Sequence, residues 1–308
     1  MTLGERFLEE PDLFPARQSG APWGTERVVI HFAGNDYACD GLSAIQAEGL
    51  RAKFGKLCST AADGVRPTVV IRIFRVGPED FVVDGREWEF DFDLDYTATA
   101  VTFAGFHFMG RLDFGPPLCA ALWTPEDERL VSHAIFENVL RVVAAYHLLE
   151  QGGVLLHSAA VVSDAGAHVF FGPSGAGKST ISRLSLTAGC AVLSDDMNAL
   201  RVTAGGVVVE KLPFAGDLGQ TMETADGVYA VRNLCRLEIG SPAALRDVRA
   251  APAIALLLEC APFVNRNPYK HDELIEKLEA LNSRMPVRLL TFAMDNRFLR
   301  LLKTQEPG

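Results

Sequence analysis

The residues Gly172-Pro173-Ser174-Gly175-Ala176-Gly177-Lys178-Ser179 satisfy the spacing G-x-x-x-x-G-K-[ST]. An apolar, strand-like run, AHVFFG at 167–172, precedes them, and a helical stretch from Lys178 to about Ala188 follows. In that context each residue type has a physical task. The glycines free backbone N–H groups to curl round a β-phosphate at a helix N-terminus, where the helix dipole favours an anion. Lys178 is placed to reach β- and γ-phosphates, the Ser179 hydroxyl is a ligand for magnesium, and Thr180 adds to the binding set. The expected chemistry is a grip on a nucleoside triphosphate with Mg2+, and ATP is the expected donor.

A loop of this kind still needs an acid near the γ-phosphate. Asp195 and Asp196 follow the apolar run CAVL, which is how a strand carries a carboxylate to the edge of a sheet. Successive strand side chains point to opposite sides, so two adjacent acids can divide their labour. One can act as base towards a substrate hydroxyl while the other orients a partner, or one of them simply caps a turn. His157, in the middle of VLLHSAAVV, is either a satisfied core histidine or a catalytic neighbour of these acids.

Two stretches of different texture must position these groups. From Arg27 to about Phe114 the pattern is strand-like, with VVIHFAG at 28–34, PTVVIRIFRV at 67–76 and WEFDFDLDY at 88–96. This predicts an antiparallel sheet with a short helix near Leu42 to Lys53. Thr124-Pro125-Glu126-Asp127 looks like a helix start and predicts a helix from about Pro125 to Gln151, ended by Gly152 and Gly153. Beyond it the spacing predicts strands at 154–162, 167–172, 190–196 and 206–211, a loop LPFAGDLGQT, and strands near 236–239 and at 253–259. A helix over 272–282, a strand PVRLLTFA and a short final helix complete the chain. The expected organisation is a β-rich α+β N-terminal domain over 1–123 and an α/β P-loop nucleotide-binding domain over 124–308.

The bulk numbers restrict the partners. A formal net charge of −10 in 308 residues argues against a general grip on nucleic acid, which needs clustered Lys and Arg. The cysteines at 39, 58, 119, 190, 235 and 260 show no Cys-x-x-Cys spacing and read as reduced. The first residues have no basic start or apolar core of a signal peptide, and no apolar run has the length of a membrane span, so the expectation is a cytoplasmic protein without a membrane partner. Glu87, Glu89, Asp91, Asp93 and Asp95 alternate with apolar residues, as on the wet face of a half-buried sheet or a dock for a basic peptide.

In these residues the chain resembles the C-terminal catalytic domain of HPr kinase/phosphorylase, and more closely the shorter HPr-kinase-related proteins of peptide-biosynthesis clusters. His157 lies 21 residues before Lys178 and Asp196 lies 18 after it, the order and approximate spacing of that family. The resemblance covers about 152–200. It implies a fold of the HPr kinase and phosphoenolpyruvate carboxykinase type, with Asp196 as the base towards a serine hydroxyl and Asp195 and His157 in support. The family's later acidic residue followed by Arg-Gly-Leu-Gly is absent. The nearest equivalent, Glu210-Lys211-Leu212-Pro213-Phe214-Ala215-Gly216, makes Glu210 either a second magnesium ligand or a solvated edge residue. For the family's phosphate-binding arginine, Arg232 and Arg266 compete, Arg266 lying in the turn-rich APFVNRNPY.

The leading expectation is therefore an ATP-dependent kinase acting on a serine of a protein or peptide, with homo-oligomerisation as the family's analogy suggests. A small-molecule kinase is the rival enzyme, although the loop lies far from the N-terminus and no arginine-rich lid is evident. A nucleotide-binding regulator with little catalysis is the third reading.

Overall fold

Strands β1 (Ala21–Pro22), β2 (Glu26–Phe32), β3 (Asn35–Leu42), β4 (Cys58–Ser59), β5 (Val69–Arg75), β6 (Phe92–Tyr96), β7 (Ala100–Gly105), β8 (Phe108–Asp113) and β9 (Leu118–Thr124) form one sheet. This computed structural model describes residues 20–59, 67–77, 92–105, 107–128, 130, 134–214, 216 and 225–303. The chain forms two compact units, Met1–Val143 and Ala144–Gly308. The division falls inside a long helix rather than at the turn near Thr124.

The sheet of the first unit runs β4-β2-β3-β5-β9-β8-β7-β6, with β1 on β5. It is mixed, not antiparallel as its alternating strands suggest. β5 is parallel to both β3 and β9, because helix α1 (Ala44–Phe54) carries the chain across between β3 and the strands that follow. Ser43 starts α1 with a capping box, accepting from the Gln46 amide while the Gln46 side chain accepts from the Ser43 amide. The β2–β3 hairpin turns on Ala33 and Gly34, both at positive φ. Asp93 and Asp95 lie exposed on edge strand β6, as a wet face requires, while Glu87, Glu89 and Asp91 fall outside the described residues.

At the β7–β8 pairing, Phe103 lies opposite Gly110 and its ring covers the glycine, so that a Cβ there would stand 1.9 Å from Phe103 Cε2. Phe103 is fully buried and its ring has no free space to enter. Gly110→Ala is expected to cost about 1–3 kcal/mol of stability, measured by urea unfolding.

Helix α2 (Ile135–Glu150) starts later than Thr124-Pro125 suggests. Thr124 ends β9, and its hydroxyl serves a turn, donating to His107 O and accepting from the Glu126 amide. Near the end of α2, burial pushes the His147 imidazole down to about 4, with Gln151 Nε2 lying 3.1 Å from its Nε2. The folded state holds the ring neutral and the unfolded chain protonates it more readily. Stability is therefore full above the ordinary histidine value near 6.5 and falls as pH drops towards 4. Unfolding at pH 5 should show about 2 kcal/mol less stability than at pH 7.5 from this group, a difference that His147→Leu removes.

The second unit contains β10 (Gly153–Ser163), β11 (Gly166–Phe171), α3 (Lys178–Thr187), β12 (Ala191–Ser194), β13 (Met197–Thr203), β14 (Gly206–Lys211) and β15 (Val228–Ile239). β16 (Ala244–Asp247), α4 (Ala250–Glu259), α5 (His271–Arg284), β17 (Val287–Phe292) and α6 (Phe298–Lys303) follow. The long strands β10 and β15 each pair with three neighbours, β10 with β11, β12 and β13 and β15 with β11, β14 and β17. β10 pairs with β13 over Gly153–His157 and with β12 over Ala160–Val162, while β15 pairs with β14 at its start and with β11 from Val231 to Arg236. The pairings β10–β11–β15–β14–β13–β10 thus close into a ring of strands. β11, β15 and β17 lie parallel, and β11 leads into α3 through the glycine-rich loop.

The run 253–259, expected as a strand, is helix α4. Apolar periodicity cannot separate short buried strands from helices, and AAPAIALLLE carries a single β-branched residue, Ile254, among the strongest helix formers. Beneath the loop, Ile181 of α3 packs with Val161, Phe170, Val192, Leu237, Phe292 and Phe298. The Phe298 ring meets Phe170 and Phe292 edge-on. None of the six cysteines forms a disulfide.

Candidate functional site

The loop Gly172 to Gly177 leaves β11 and enters α3 through a left-handed residue, Gly177 at φ 98°. Gly175 also has positive φ. At Gly177 a side chain fails twice, because a Cβ would also stand 2.7 Å from the buried Phe292 ring. No side chain caps α3 among the described residues, so its first amides stay open towards the loop. Pro173, Ser174 and Gly175 are exposed, while Lys178 is 8% exposed and folds back over the loop. Its Nζ donates to Gly172 O at 3.0 Å and Pro173 O at 3.2 Å. Ser179 and Thr180 follow in the first turn of α3, both half-buried.

Asp195 and Asp196 sit in the corner between β12 and β13, where β10 exchanges one partner for the other. Ser194 builds this corner, its hydroxyl donating to Met197 O and accepting from the Asp196 amide. The Asp196 carbonyl accepts from the Ser158 amide, and the buried Asn198 side chain braces the turn by donating to Ser158 O. The two acids differ in environment. Asp195 is buried and passes under Gly216, where a Cβ would come 2.3 Å from Asp195 Oδ1. Asp196 is more open, with a side chain 20% exposed and Oδ1 lying 3.7 Å from His157 Nε2. That separation is longer than a hydrogen bond.

Lys178 and Asp196 lie close enough to influence one another. Burial draws the Lys178 pKa below its ordinary value and Arg236 lowers it further, while Cys260 and Asp196 act the other way. Cys260 adjoins the site, its carbonyl accepting from the His157 amide. Burial raises its thiol pKa, against the effect of the nearby Arg236 and Lys178.

The structure therefore brings together Gly172 to Thr180, Asp195, Asp196 and His157. It does not bring in every expected residue. Glu210 forms an ion pair with Arg201 across the β13–β14 hairpin, and Arg266 is exposed in the turns after α4. Arg232 donates to Ala165 O beside Gly166, at the end of β11 remote from the loop. A second cation at the loop, beside Lys178, is Arg236, placed there by the register of β15 opposite Phe171. An arginine inside the apolar run LCRLEI was the available signal, since a buried guanidinium demands a partner. Among the described residues no group of three or more His, Cys, Asp or Glu side chains gathers to hold a metal ion. No helix of the described residues is long and apolar enough to cross a membrane. No protein-family model matches the chain, and no curated protein matches it.

Proposed function

We propose that this chain is an ATP-dependent kinase that transfers the γ-phosphoryl group to a hydroxyl, with a serine of a protein or peptide as acceptor. In this reading the second unit is a P-loop domain of the HPr kinase and phosphoenolpyruvate carboxykinase type. The observation that carries it is the convergence of a glycine-rich helix entry, its lysine, and an open carboxylate beside a histidine.

The division of labour follows from the environments. The open amides of α3 hold the β-phosphate, and Lys178 exchanges its two carbonyl partners for phosphate oxygens. Mg2+ fits the site through the Ser179 hydroxyl, since this ion keeps waters and substrate phosphates as its other ligands and needs no cage of carboxylates. There it would neutralise charge on the phosphates. Asp196, the more open acid, takes the proton from the acceptor hydroxyl as that oxygen bonds to the γ-phosphorus. The bond to the β,γ-bridging oxygen breaks, and ADP leaves. Asp195, buried under Gly216, holds the corner that aims Asp196, and His157 supports the Asp196 carboxylate from β10.

The test is incubation of the purified chain with γ-labelled ATP and Mg2+, with cell extract or with peptides encoded beside the gene. Label on an acceptor serine, lost in the Lys178→Ala protein, is the expected result. Tight ATP binding without acceptor labelling or phosphate release would instead favour a nucleotide-binding regulator.

A further inference from the structure

Arg236 lies inside the second unit with its side chain 14% exposed. Its Nε and Nη1 are buried and have no hydrogen-bond partner among the described residues. The nearest carboxylate, Glu259, is 3.7 Å from Nη2, beyond hydrogen-bond distance, and is itself 63% exposed. Arginine is rarely buried without a partner, and a guanidinium with two orphaned donors calls for an anion. Its position says which anion. A Cβ at Gly172 would stand 2.4 Å from Arg236 Nη1, so the guanidinium rests against the first residue of the loop, and glycine there is what lets it approach. Lys178 contacts the carbonyl of that same residue, so two cations flank one end of the loop.

We infer that Arg236 is a ligand of the γ-phosphate, supplied by the chain itself from strand β15. This rests on the kinase reading above and deepens it, because it assigns the residue that distinguishes a triphosphate from a diphosphate. The backbone amides at the start of α3 enclose the β-phosphate that both nucleotides share. A guanidinium beside Lys178, outside that ring of amides, meets oxygens that only the triphosphate carries. Its planar fork offers two parallel donors to the transferring group, where charge must be held as the bridging bond breaks.

Calorimetry on the full chain, with Mg2+ and either ADP or a non-hydrolysable ATP analogue, separates this role from a structural one. Arg236→Gln should weaken the triphosphate analogue by on the order of tenfold or more and leave ADP within about twofold. It should also slow phosphoryl transfer by on the order of 10²–10³-fold. Arg236→Lys keeps the charge and the stem and should recover part of both effects. It also carries the comparison if the glutamine protein melts early. Parallel losses for the two nucleotides, no loss for either, or a lowered melting temperature with an unchanged preference would overturn the assignment. A folded wild-type chain that binds neither nucleotide would remove the kinase reading itself.

Discussion

Asp196→Asn is expected to slow phosphoryl transfer by on the order of 10²–10⁴-fold while ATP affinity stays within about threefold. The substitution keeps the shape of the side chain and the main-chain bond from Ser158 to the Asp196 carbonyl, so the corner between β12 and β13 persists. What disappears, on the proposed reading, is the proton acceptor. Because Asp196 is partly open and Asp195 is covered by Gly216, the two carboxylates should not substitute for one another. Steady-state rates with a labelled acceptor, together with ATP titration of the same protein, measure both quantities. Unchanged turnover would remove Asp196 from the chemistry and leave it as a turn residue.

Lys178→Ala should have the opposite profile, with the loss falling on binding. The lysine already bridges Gly172 O and Pro173 O across the loop, so its removal costs the loop a brace as well as the proposed phosphate ligand. ATP affinity is expected to fall by on the order of 10²-fold, and the rise in melting temperature that Mg·ATP gives the wild type should vanish. Lys178→Ala protein that is still stabilised by Mg·ATP to the wild-type extent would place the nucleotide elsewhere. The substitution is not expected to unfold the chain, because the packing beneath the loop comes from Ile181, Phe170, Phe292 and Phe298.

Much of the site could be read before the fold was known, because its signals are local. The loop, the entry into α3, the strands β10, β11 and β14, and the acids after β12 each depend on a few adjacent residues whose types have narrow physical uses. Long-range relations were less legible. Parallel pairing of β5 with β3 and β9 leaves no trace in the alternation of any one strand. Strand β13, MNALRVT, and strand β3, NDYACDGL, carry polar residues that obscure their period, and both are fixed by the partners on either side.

Arg236 shows the same limit in the site. Attention to loops favoured Arg266 and Arg232, because loops carry much binding chemistry. The register of β15 against β11 sets Arg232 away from the loop. Opposite Ala167 is Val231 and opposite Phe171 is Arg236, so an arginine four residues before Arg236 stands at the wrong end of the sheet. Glu210 is likewise engaged by a neighbour, since the β13–β14 hairpin sets it beside Arg201. Both outcomes follow from pairings that no single segment encodes.

The most direct test of the central claim is calorimetric titration of the purified full chain with ATP, with and without Mg2+. The account predicts a single saturable site per chain that requires Mg2+ for full affinity. A folded chain that binds no triphosphate under either condition would contradict it.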